Sequence, residues 1–86
     1  MDSVRDQLVN YIGDDLAVDL DGLSDDDLLF SAGLVDSFAL ISLMTFIETE
    51  FGFRISPGDV NLANFDSVGR MVDYVNAQRS ITSGSR

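Results

Sequence analysis

The reading turns on one stretch, LLFSAGLVDSFALISLMTFIETEFGFRI, residues 28–55. At its centre a glycine-containing loop, Gly33-Leu34-Val35, delivers Asp36 and Ser37 to the start of an amphipathic segment. At about 100° per residue, Leu40, Leu43, Ile47 and Phe51 share one face, with Met44 at its edge. Phe38, Ser42, Thr45 and Thr49 cluster on the opposite face, and Ile41 and Glu48 lie on its flank. This spacing predicts a helix from Ser37 to Phe51. Gly52 is suited to end it in the left-handed conformation. Ser and Asp both favour helix starts, so the plain structural reading makes Ser37 a capping residue.

Upstream, Val4, Leu8, Tyr11 and Ile12 mark one face of a helix over about Ser3 to Ile12, with Asp2 or Ser3 to cap it. A long connection from Gly13 to Asp36 holds Asp14, Asp15, Asp19, Asp21, Asp25, Asp26 and Asp27. Its interspersed leucines predict that it packs on the core, because long structureless loops are uncommon in a compact domain. Leu28 to Ser31 could form a short helical turn. Downstream, Ser56-Pro57 suits a short helix start. Asp66 is the expected N-cap of a last helix on which Val68, Met71, Val72 and Val75 recur at helical spacing. The fold expected is all-α: a small bundle of three main helices plus a short fourth, with a long loop between the first two. Residues 1–79 form the domain and 80–86, rich in Ser and Gly, a flexible tail.

Composition narrows the function. The chain has 86 residues and no His or Cys, and its cations are all arginines: Arg5, Arg54, Arg70, Arg79 and Arg86. No imidazole is present to activate a serine, and Cys or Lys nucleophiles are excluded. The chain is therefore not expected to be an enzyme, and no catalytic residue or resident metal is assigned. A net charge of −10 argues against nucleic acid and anionic membranes. It favours partners with basic docking patches. Without a membrane-length apolar run or a signal segment, and opening on Met1, the chain reads as a complete cytoplasmic product and a monomer. The pattern Asp19-Leu20-Asp21-Gly22 fails as a calcium loop. With Gly22 at its sixth position, Ala17 and Leu28 would occupy the first and twelfth.

Ser37 has a second reading besides capping. The free N–H groups and positive end of a helix suit a phosphate. Asp36 could help hold the divalent metal that accompanies a phosphate donor.

The residues 28–55 resemble the heart of acyl and peptidyl carrier proteins. The family pattern begins Gly-hydrophobe-x-Asp-Ser-hydrophobe. Leu43, Ile47 and Phe51 stand six, ten and fourteen residues after Ser37, where the family has hydrophobes. Phe65-Asp66-Ser67-Val68 and Asp73-Tyr74-Val75 resemble the closing segment, so the likeness covers about Val4 to Val75.

The resemblance implies that a separate, Mg²⁺-dependent phosphopantetheinyl transferase moves 4′-phosphopantetheine from coenzyme A onto Ser37. The thiol of that arm then holds an acyl or aminoacyl group as a thioester. Asp36 belongs to the motif that the transferase reads, and Phe38 stands where partner enzymes grip an exposed hydrophobe. Val35, Ile41, Thr45 and Glu48 complete the expected recognition surface. An acyltransferase or adenylation enzyme would load the cargo, and a downstream synthase would take it.

Fatty-acid carriers place several carboxylates along the helix after the serine. Here Ala39, Ser42 and Thr45 occupy that stretch. The resemblance therefore leans toward polyketide or nonribosomal peptide pathways. The alternatives are a primary fatty-acid carrier, or a helical interaction module without a prosthetic group.

Overall fold

The computed structural model describes residues 3–84, and side chains through Arg79. Its elements are α1 (Val4–Asp14), α2 (Ser37–Phe51), a 3-10 turn (Pro57–Asp59), α3 (Leu62–Phe65) and α4 (Val68–Gly84). The described residues contain no strand, and the all-α bundle agrees with the expectation. Asp2, the other candidate cap of α1, lies outside the described residues. Ser3 takes that role, its side chain accepting from the N–H of Asp6 at 3.1 Å. The helix α4 is drawn through Gly84. It thus includes residues 80–84 of the stretch predicted as tail, while Ser85 and Arg86 lie outside the described residues.

The predicted apolar faces form one core. Leu8 and Ile12 of α1, Leu43 and Ile47 of α2, Phe65 of α3, and Met71 and Val75 of α4 are each at most 1% exposed. The loop adds Leu29, also buried. β-branched residues in α2 (Ile41, Thr45, Ile47 and Thr49) weaken its intrinsic helix preference. Burial of its inner face and two well-made ends offset this. At the C-terminal end Gly52 adopts φ 75°, a conformation costly for other residues, and its N–H donates to the Glu48 carbonyl at 3.0 Å.

The long connection is irregular but tied down. Arg5 Nε donates to the Asp25 carboxylate at 2.8 Å, joining the loop to α1. The Asp25 carbonyl accepts from the N–H of Gly69 on α4 at 2.8 Å. Further on, Leu28 to Ser31 is not a helical turn. A tight turn closes instead where the Gly33 N–H reaches the Phe30 carbonyl at 3.1 Å, with Gly33 at φ 79°.

Asp66 is not the cap of α4. The Ser67 hydroxyl accepts from the N–H of Arg70 at 3.2 Å and caps that helix. The Asp66 carboxylate is 2% exposed and turns to the loop. It accepts from the N–H groups of Phe30 and Ser31 at 2.8 and 2.9 Å, and from the Ser31 hydroxyl. Its carbonyl accepts from the N–H of Leu29. A buried polar group demands such partners, and the loop backbone needs acceptors, so the clasp satisfies both.

The segment between α2 and α3 has its own tie. Tyr74 of α4 packs on Phe65 and Phe53 and donates its hydroxyl to Asp59 at 2.9 Å. Burial, with the Asp59 carboxylate beside it, pushes the Tyr74 pKa up to about 12.

Candidate functional site

The site stands where the loop enters α2. Pinned by Asp66, Leu29 also accepts through its carbonyl from the N–H groups of Leu34 and Val35, at 2.9 and 3.2 Å. This tightens the chain just before α2 and fixes which side chain enters the core. Val35 does, at 6% exposed, while Leu34 remains outside at 45%. The expectation that Val35 belongs to the recognition surface is therefore corrected. Leu34, the hydrophobe that follows Gly33, is the exposed one of the pair.

Asp36 is extended, with φ −91° and ψ 173°, and its Oδ1 accepts from the N–H of Ala39 at 2.9 Å. Asp36, not Ser37, is thus the N-cap of α2. Ser37 is the first helical residue, exposed, and its hydroxyl makes no hydrogen bond among the described residues. It stands among the first-turn N–H groups, at the positive end of a 15-residue helix.

The outward face of α2 begins one residue later. Phe38 is 82% exposed and Ile41 62%. Ser42, Thr45 and Thr49 continue along it, all exposed. Thr45 turns its hydroxyl back to the Ile41 carbonyl at 3.2 Å, leaving its methyl group to the surface.

Glu48 has a partner within the chain. Its Oε2 accepts from the N–H of Ile55 at 2.7 Å, across the Gly52 turn. The carboxylate holds the chain as it leaves α2 and is partly buried. Among the described residues no cluster of three or more His, Cys, Asp or Glu is arranged to hold a metal ion. None of their helices is long and apolar enough to cross a membrane.

The family model for the phosphopantetheine attachment site matches residues 6–75, most of the 86-residue chain. The chain belongs to this family of acyl and peptidyl carrier proteins. No curated protein matches it. Its cofactor is accordingly 4′-phosphopantetheine, and its work is carrying, not catalysis. A phosphopantetheinyl transferase and synthase enzymes are its partners.

Proposed function

We propose that Ser37 is the residue that bears the 4′-phosphopantetheine. What supports this is the division of labour at the start of α2. Asp36 makes the cap, so the Ser37 hydroxyl is exposed and spoken for by no other group. The residues fit the group in charge as well, since first-turn N–H groups favour a phosphodiester. The arm supplies a thiol, which a chain with no cysteine lacks, and on it an acyl group is held as a thioester. This chain's part is to hold α2 rigid, present the hydroxyl and offer partners a face to grip. We further propose that the transferase reads Asp36, and that enzymes grip Leu34, Phe38, Ile41 and Thr45.

The cargo proposed is an acyl or aminoacyl intermediate of polyketide or nonribosomal peptide biosynthesis. Its loader is an acyltransferase or adenylation enzyme, and a synthase follows. The character of the α2 face supports this. It is apolar and hydroxylic through Thr45, and the carboxylate of Glu48 is engaged by Ile55. Docking then depends on apolar burial more than on ion pairing.

The test is loading. The apo chain, incubated with coenzyme A, Mg²⁺ and a broad-specificity phosphopantetheinyl transferase, should gain the mass of one phosphopantetheine. The Ser37→Ala variant should gain none. Failure with several competent transferases, or loading of Ser37→Ala, refutes the assignment. The pathway is tested by comparing kcat/KM for transfer onto the loaded carrier. Enzymes of specialised pathways should exceed the malonyl transferase of fatty-acid synthesis.

A further inference from the structure

Asp66 is remote from Ser37 in sequence, and its buried carboxylate is out of reach of any enzyme. It nevertheless heads the hydrogen bonds that order the approach to α2. Its Oδ1 accepts from the N–H groups of Phe30 and Ser31, its Oδ2 from the Ser31 hydroxyl, and its carbonyl from the N–H of Leu29. Held in this way, Leu29 accepts in turn from the N–H groups of Leu34 and Val35, and Phe30 from that of Gly33. Val35 then hands the chain to Asp36, whose cap on the Ala39 N–H starts α2 beside Ser37.

We propose that Asp66 is a positioning residue for the loading of Ser37, acting through the loop it clasps. The inference rests on the attachment-site reading and adds a residue to it. In loading, the Ser37 hydroxyl gives its proton to the transferase and its oxygen bonds the phosphorus next to pantetheine. The pyrophosphate bond of coenzyme A breaks, and adenosine bisphosphate leaves. The attacking oxygen must be closely placed, since an error of about 1 Å can cost on the order of 10²-fold in rate. The Ser37 hydroxyl makes no hydrogen bond among the described residues, so its place is set by the backbone that carries it.

Two observations give Asp66 this role beyond stability. First, its carboxylate is buried, so any effect on the transferase must travel through the residues it holds. Second, the side chains of Leu29 and Val35 are themselves buried in the core. They keep the segment attached when the clasp is lost, so the loop loosens without unfolding and the entry to α2 loses its fixed geometry.

The test compares Asp66→Asn and Asp66→Ala with Val75→Ala, a core truncation nine residues further along α4 that leaves the loop bonds intact. Asn keeps one acceptor oxygen for the two N–H groups but no second one for the Ser31 hydroxyl, and Ala keeps none. Each apo chain is loaded with coenzyme A, Mg²⁺ and a phosphopantetheinyl transferase and followed by intact mass. In Asp66→Asn, kcat should fall about tenfold, with the KM for coenzyme A unchanged. In Asp66→Ala it should fall further. Val75→Ala, although less stable in urea, should keep the wild-type kcat. A variant that is only partly unfolded would instead raise the KM for the carrier and leave kcat alone. In the ¹⁵N-labelled apo chain, amide exchange at Leu34, Val35 and Ala39 should quicken about tenfold in Asp66→Asn and hold in Val75→Ala.

A wild-type kcat in Asp66→Asn, an equal fall in Val75→Ala, or a change confined to the KM for the carrier overturns the proposal. So does unaltered exchange at Leu34 and Val35. Whether the wild type loads, and whether Ser37→Ala does, decides the attachment site. The ratio of variant to wild-type kcat decides the role of Asp66, so the two failures are distinguishable.

Discussion

Asp66 joins the closing helix to the loop that leads into Ser37, although the residues it holds, Phe30 and Ser31, are more than thirty positions away in sequence. Burial alone would raise its pKa. Hydrogen bonds from the Ser31 hydroxyl and from the N–H groups of Ser31, Phe30 and Leu29 outweigh that and hold it below its ordinary value of 3.8. A carboxyl whose pKa is lowered by folding stabilises the fold above the unfolded value. That contribution is lost as pH falls through the folded value. Urea unfolding of the wild type should therefore show an acid decline below about pH 4 to which Asp66 contributes. In Asp66→Asn that share of the decline should vanish. At pH 7 the variant should be less stable by about 1–3 kcal/mol, because the Ser31 hydroxyl loses its anionic acceptor. Parallel stability–pH curves for the two proteins would refute the clasp.

At the scale of the element, the two faces of α2 should respond to substitution in opposite ways. Leu43→Ala removes a fully buried side chain and should cost about 2–5 kcal/mol in urea unfolding. Phe38→Ala should leave stability within about 0.5 kcal/mol, as for exposed positions generally, yet slow cargo transfer by partner enzymes. Unchanged transfer rates would remove Phe38 from the recognition surface.

This split between faces was legible in the sequence because it depends only on the helical period. What that period cannot report is where a polar side chain finds its partner. Neighbouring Asp66 and Ser67 are both good caps, and only the approach of Phe30 and Ser31 decides which one serves α4. Glu48 lay correctly on the flank of the wheel, but its bond to the Ile55 N–H depends on how the chain turns at Gly52. Val35 lies outside the periodic stretch, so its direction was set by the two bonds to the Leu29 carbonyl.

For the whole molecule, charge is the dominant variable. The bundle measures 40 × 30 × 20 Å and carries −10. Salt screens charge beyond about 10 Å at 0.1 M, so many of its carboxylates repel one another in dilute buffer. Raising NaCl from low to physiological concentration should lift the melting temperature by about 4 °C, the shift that ~1 kcal/mol produces in a domain of this size. The same salt should slow association with basic partners, because it screens the attraction that steers them. Calorimetry and stopped-flow binding at matched ionic strengths check the opposite signs.

Because Asp36 caps α2, the position beside it is open to chemistry that nature did not place there. Ser37→Cys would introduce the chain's only thiol, at a helix N-terminus that lowers thiol pKa and favours the reactive thiolate. The helix should form unchanged by circular dichroism, and a maleimide should label the chain once. Spectroscopic probes, or stable thioether mimics of the arm, could then be installed without a transferase. Each would sit where the natural cargo is proposed to be tethered.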